Sequence, residues 1–264
     1  MTSLPDVLAN HPDLILVEVR EAKGSTPREA GAYMLVAPEA LWGTIGGGQM
    51  ELLAIEKARA MLAGGKTEGE LDLPLGPDIG QCCGGRVVID LKRLGDEERR
   101  RLLAREEKAR KRFPQVFVFG AGHVGLALAA ALAPLPVATT VVETRSDAIE
   151  NLPSNVAGRL AALPEAVVAE IAPGGAAVIL THDHALDFLI GREALARDDL
   201  AYVGMIGSAT KRATFESAMR REGVAPERLA RLVLPIGGNA VRDKRPSVIA
   251  AMVAAELLAV LLEK

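Results

Sequence analysis

Aromatic side chains are scarce in this chain, at 3% of 264 residues, so it has few rings on which nucleic-acid bases could stack. A formal charge of −3, from 31 basic and 34 acidic residues, supplies no basic face either. Nucleic acid is therefore excluded as the main partner. Cysteine is scarcer still. The two present, Cys82 and Cys83, are neighbours, which makes no disulfide framework and points to reduced thiols in the cytoplasm. Long apolar runs are missing as well. The longest, Val248 to Leu262, contains Glu256 and falls short of the roughly 20 residues that span a bilayer, so no membrane association is expected. It reads as a buried or interface helix, apolar nearly all round and compatible with burial in a homo-oligomer. The N-terminal MTSLPDVLANHPD is broken by Pro5, Asp6, Pro12 and Asp13 before any apolar run, and no secretion signal is expected.

What is present is a globular composition, 49% hydrophobic, in a chain long enough for one or two domains. Apolar runs at 14–19, 32–36 and 41–45 read as strands, followed by Gly46, Gly47 and Gly48 and an amphipathic helix to Leu62 that Gly64 and Gly65 end. Strands at 70–75 and 86–91 flank the glycine-rich loop 76–85. The densely charged run GDEERRRLLAREEKARKR reads as a solvated helical linker. After it, strand and helix patterns alternate, which is how a parallel sheet covered by helices reads. The expected fold is α/β: a small mixed N-terminal domain (1–94), a charged helical linker (95–114), and a Rossmann-like, doubly wound parallel sheet with a C-terminal helix (115–264).

The sharpest motif is VFVFGAGHVG, residues 116–125, a G-x-G-x-x-G directly after an apolar run and before a helix. Gly120 permits the tight turn, Gly122 lets a pyrophosphate approach the backbone beside His123, and Gly125 lets the helix pack on the strand. The next strand ends in Glu143, 23 positions after Gly120, where a carboxylate accepts a ribose hydroxyl. A nucleotide is thus a candidate ligand. Other loops at the same sheet edge are polar: Thr181-His182-Asp183-His184, Gly207-Ser208 with Lys211 and Arg212, and Gly237-Gly238-Asn239 with Arg242, Lys244 and Arg245. Cations beside helix N-termini suit a phosphate, and Lys211 and Arg212 are the leading candidates. His182 and His184 have no recognised zinc spacing, and His182 with Asp183 either bonds a ligand or caps the following helix.

Cys82 and Cys83 sit between glycines with Arg86 nearby, a setting that favours a thiolate, although a free cysteine also serves as a small buried hydrophobe.

Seven ordered segments, GSTPREAGAYMLV (24–36), GTIGGGQMELL (43–53), CCGGRVVIDL (82–91), VFVFGAGHVGLALA (116–129), LTHDHALD (180–187), YVGMIGS (202–208) and KRPSVIAAMVAAEL (244–257), together resemble the xanthine dehydrogenase accessory protein family of the XdhC/CoxI type. The resemblance spans nearly the whole chain. It implies a cytoplasmic cofactor chaperone, rather than a turnover enzyme, that binds the molybdenum cofactor (molybdopterin), supports its sulfuration and delivers it to the molybdenum subunit of apo xanthine dehydrogenase. A cysteine desulfurase is the second implied partner, and self-association is expected. Under this reading Cys83, in the C-G-G position, is the candidate catalytic thiol and molybdenum contact, with Cys82 beside it. Gly46, Gly47, Gly48, Gln49, Gly84 and Gly85 would line the cofactor. Relatives often carry a cysteine where this chain has Gln49, so no thiol role transfers to that position. The rival reading is an NAD(P)-dependent oxidoreductase built on the Gly120 to Gly125 motif, with His123 or His182 as proton donor. It leaves the CCGG loop unexplained.

Overall fold

A computed structural model describes residues 4–76, 84–238 and 240–263. The chain divides into two compact units, Met1–Glu107 and Lys108–Lys264.

In the first unit, β1 (Ile15–Lys23), with Ile15, Val17 and Val19 buried on one face and Leu16 half-buried on the other, is the centre of an antiparallel sheet. It pairs with β2 (Tyr33–Val36) on one side and β5 (Arg86–Arg93) on the other; β3 (Leu41–Gly43) and β4 (Glu68–Pro74) complete the order β3-β2-β1-β5-β4. Ile15, Val17, Val19, Met34 and Val36 face the helix α2 (Gly48–Gly64), which buries Met50, Ala54, Ala58 and Met61 against them. Gly65, at φ 71°, closes α2 with its N–H on the Met61 carbonyl. The opposite face takes Leu14 and Leu35 together with Val7 and Leu8 of a short N-terminal helix, α1 (Leu4–Asn10).

The charged run forms a helix, α3 (Asp96–Arg110), but it is not simply a solvated linker. Leu102 is buried in the same cluster as Val7 and Leu35. Arg99 donates to the carbonyls of Leu8, His11 and Pro12 at 2.5–2.9 Å, and Arg105 reaches Glu18 and the Gly31 carbonyl, both at 2.6 Å. A weak apolar stripe is enough here because arginine side chains supply the remaining docking contacts.

The second unit is a six-stranded parallel sheet in the order β11-β10-β9-β6-β7-β8, the doubly wound arrangement expected from the alternating pattern. Its strands are β6 (Gln115–Phe119), β7 (Ala138–Glu143), β8 (Ala157–Leu160), β9 (Ala176–Ile179), β10 (Tyr202–Met205) and β11 (Leu232–Val233). Helices α4 (His123–Leu132) and α9 (Pro246–Leu261) share one cluster with Val116, Val118 and Val178. The other face, with Phe117, Phe119 and Ile179, is covered by α5 (Pro164–Val167), α6 (His184–Ala196), α7 (Ala209–Arg221) and α8 (Pro226–Leu229). The strand β8 is not legible in the sequence: it is an exposed edge strand without an apolar face. The C-terminal helix is buried along one stripe only, through Ala250, Val253, Ala254 and Leu257, and Glu256 accepts from the Tyr202 hydroxyl at 2.8 Å. Among the described residues, no helix is long and apolar enough to cross a membrane.

Candidate functional site

The strand order of the second unit reverses between β6 and β9, and both strands end at loops that face one crevice. A cavity of about 240 Å³ lies there, lined by Gly120, Gly122, His123, Glu143, Arg145, Thr181, His182 and others. A second, of about 270 Å³, is lined by Thr181, His182, His184, Ile206, Gly207, Ser208 and Lys211. The two share Thr181, His182 and Ile206 and so adjoin. Candidates from four separate sequence segments thus meet at the carboxyl edge of one sheet.

The three glycines of the motif have distinct surroundings. At Gly120, φ is 112° and a Cβ would stand 2.6 Å from the Leu180 carbonyl oxygen, so only glycine fits. At Gly125 a Cβ would collide with the Gly120 carbonyl, which is how closely α4 packs on the turn. At Gly122, the N-cap of α4, a Cβ would meet nothing within 4 Å, and no side chain caps the helix. The open space and the uncapped N–H groups suit an anion.

Glu143 lies at the end of β7, as expected, but its carboxylate is turned inward and is 4% exposed. One oxygen accepts from the Ala121 N–H at 2.9 Å and Arg145 Nη2 at 3.2 Å; the other accepts from the Thr144 N–H at 2.8 Å and hydroxyl at 3.0 Å. Burial raises its pKa, but the Arg145 guanidinium and these donors outweigh it and hold the carboxyl down at about 2.

The loop after β9 is organised by Asp187, which is fully buried. Its Oδ1 accepts from the Thr181 N–H at 3.1 Å and hydroxyl at 2.7 Å, and its Oδ2 accepts from Lys211 Nζ. Lys211 is 10% exposed and also donates to the Ile206 carbonyl at 2.9 Å. It lines the second cavity with its charge already paired. Arg212 is turned away from both cavities: it donates to the Leu232 and Leu234 carbonyls at 2.8 and 2.7 Å and pairs with Glu216. That placement is a correction to its expected role beside a phosphate, because the start of α7 directs it onto the end of β11. Asp183 caps α6 by accepting from the Ala185 N–H at 2.8 Å, and Ser208 caps α7 at Lys211 N, 3.3 Å away. His123, His182 and His184 are exposed at the cavity rims.

In the first unit, glycines bring three loops together at one place. A Cβ at Gly85 would stand 2.5 Å from the Ser25 carbonyl oxygen and 2.6 Å from that of Lys23; one at Gly46 would stand 2.6 Å from Pro27 Cβ. Segments 23–28, 44–48 and 84–85 therefore adjoin. Gly47 and Gly84 face open space, and Gln49 is exposed in the first turn of α2. Glu51 reaches back from that helix to the Ile45 and Gly47 N–H groups at 2.9 and 3.1 Å and to the Thr44 hydroxyl at 2.5 Å. Burial opposes its charge, yet the hydroxyl and loop amides prevail and lower its pKa. The Gly47 amide, in the glycine turn expected to line the cofactor, is thus taken by the chain's own carboxylate. Cys82 and Cys83 lie outside the described residues. Among the described residues, no group of three His, Cys, Asp or Glu side chains is placed to hold a metal ion.

Sequence reasoning missed Glu51, Arg145 and Asp187. Glu51 carried a signal, since an acid in the first turn after a glycine loop is a capping pattern. Asp187 carried none, because an acid on a helix reads as solvated until the packing buries it.

Comparison with known proteins agrees with this architecture. Residues 116–257 match the XdhC Rossmann domain, and residues 7–72 match the XdhC and CoxI family. The Escherichia coli (strain K12) protein YqeB is 28% identical over 254 residues, covering 93% of this chain; the chain spans only 43% of that relative's length. A Bacillus halodurans crystal structure described as a xanthine dehydrogenase superposes with a TM-score of 0.75, covering 98% of this chain and 94% of that one, at 16% identity. The likeness at that identity shows the shared fold. With one family model matching over half the chain and the other matching in the first unit, the chain belongs to the XdhC and CoxI family.

Proposed function

We propose that this chain serves in the maturation of a xanthine dehydrogenase-type molybdenum enzyme: it holds the molybdenum cofactor in its first unit, supports its sulfuration with a cysteine desulfurase as sulfur donor, and delivers it in the cytoplasm to the apo-enzyme's molybdenum subunit. The observation that carries this reading is the convergence of loops 23–28, 44–48 and 84–85 in a family whose name ties it to that enzyme. The open faces of Gly47 and Gly84 leave room for a flat ring, and the first amides of α2 remain for a terminal phosphate, with the Gly47 N–H already engaged by Glu51. Gly48, Gln49, Gly84 and Gly85 would hold the cofactor, with the Cys83 thiolate as the soft contact and Cys82 in a lesser role. When bound, the cofactor supplies a molybdenum centre carried on a pterin dithiolene. The protein's part is to position and shield it, and a homo-oligomer is the expected form.

The test is to purify the protein from cells that make molybdenum cofactor, oxidise it and measure the fluorescence of released pterin. Wild type should yield pterin, Cys83→Ser should retain its melting temperature but lose most of the pterin and of the active enzyme formed in reconstitution, and Cys82→Ser should lose less. Wild type without pterin, or Cys83→Ser equal to wild type in both assays, overturns the proposal.

A further inference from the structure

The cofactor reading of the first unit leaves the crevice of the second unit unused. Its two adjoining cavities, about 240 and 270 Å³, lie along the carboxyl edge of the sheet, the first at the loops after β6, β7 and β9, where the strand order reverses, and the second at the loops after β9 and β10. Each alone is below the roughly 300–1,000 Å³ of small-molecule sites, and side by side they fall within it. The uncapped N-terminus of α4, with the open face of Gly122, lines the first cavity, and because α4 follows β6 it stands between the β7 end of the crevice and the second cavity. An elongated ligand with an anionic middle matches this layout, which describes a dinucleotide with its pyrophosphate at α4.

The end of the crevice at β7 decides which dinucleotide. A carboxylate offers about four lone-pair sites. Glu143 already receives four donors within 3.2 Å, from Ala121, Thr144 twice and Arg145, and its side chain is nearly sealed. It has no acceptor left for a ribose hydroxyl. Arg145 instead lines this cavity with a side chain that is 52% exposed. Its Nε and Nη2 bond Glu143, and its Nη1 makes no hydrogen bond among the described residues. A guanidinium with free N–H groups at the place where the adenosine ribose arrives matches a phosphate on that ribose. The pair with Glu143 fixes the guanidinium's direction, so little side-chain freedom is lost on binding.

We propose that the second unit binds a dinucleotide whose adenosine ribose carries an additional phosphate, of the NADPH type, with Arg145 as the residue that selects it and Glu143 as the residue that positions Arg145. This rests on the second unit alone and stands or falls separately from the cofactor reading.

The experiment titrates the purified full chain with NADPH and with NADH by isothermal calorimetry and by the ligands' own fluorescence. NADPH should bind about tenfold or more tightly than NADH, the ratio that one charge-assisted contact provides. Arg145→Ala should remove that ratio, and Arg145→Lys should keep part of it, since the charge stays but the planar fork is lost. Far-UV circular dichroism of each variant shows that the sheet is intact. Equal or tighter binding of NADH to wild type, no binding of either, or an unchanged ratio in folded Arg145→Ala overturns the proposal. Because no molybdenum enzyme enters the assay, its failure leaves the pterin test untouched, and the reverse holds.

Discussion

Replacing Glu143 by glutamine isolates a single ionised group in the motif's supporting structure. The wild-type carboxylate, 4% exposed, is held at a pKa of about 2 by Arg145, Ala121 and Thr144 despite its burial. Compared with an ordinary glutamate near 4.3, that depression corresponds to about 2–3 kcal/mol, allowing for the partial solvent screening of Arg145. A lowered folded-state pKa stabilises the protein fully above the unfolded-state value and loses that contribution as pH falls through the folded-state value. Glu143→Gln should therefore unfold about 2–3 kcal/mol more easily at pH 7, with the gap to wild type narrowing below about pH 4.5 and closing near pH 2. Glutamine keeps the size but turns an NH2 toward two of the four donors, so the loss reads the carboxylate's charge and its acceptors rather than packing. The measurement is urea denaturation at pH 7, 5 and 3, followed at 222 nm, with wild type and variant side by side. The only tryptophan, Trp42, lies in the first unit, so its emission reports that unit as an internal control. A gap under about 1 kcal/mol at pH 7, or one of equal size at pH 3 and pH 7, refutes the assignment of this carboxylate as an ionised structural anchor.

The buried pair under the second cavity should show strong coupling. Asp187→Ala strands the Lys211 ammonium and the Thr181 donors and should cost about 3–5 kcal/mol, whereas Asp187→Ala with Lys211→Met should cost much less than the sum of the single changes; additivity within about 0.5 kcal/mol in denaturation would show that the pair is not coupled. The motif glycines should separate cleanly. Gly120→Ala, at φ 112° and 2.6 Å from the Leu180 carbonyl, should cost on the order of 2–4 kcal/mol. Gly122→Ala, at φ −73° with open space around its Cβ, should leave the melting temperature within about 2 °C and weaken NADPH binding; similar melting temperatures for the two variants would contradict the geometry.

Much of this protein is written in local pattern. Apolar alternation in β1, the apolar runs of β6, β9 and β10, and glycines at helix ends are short-range signals, and they fix element type and the doubly wound order because a parallel sheet needs helical crossovers. The Gly120 to Gly125 spacing likewise carries its own geometry, since the turn, the open approach and the close helix packing each constrain one residue. Edge strand β8 escapes because it buries no face, and α3 reads as solvated because its docking runs through Arg99 and Arg105 rather than an apolar stripe. Which charges are free to meet a ligand was decided only by the tertiary structure. Lys211 and Arg212 are adjacent cations in sequence, yet one is paired with a buried aspartate and the other ties down two backbone carbonyls of β11 and its following loop. Glu143 stands at the expected position and is spent on Arg145, which in turn keeps donors toward the crevice. Partners like these come from segments that are tens of residues apart or from side-chain directions that packing sets, and no spacing rule contains that information.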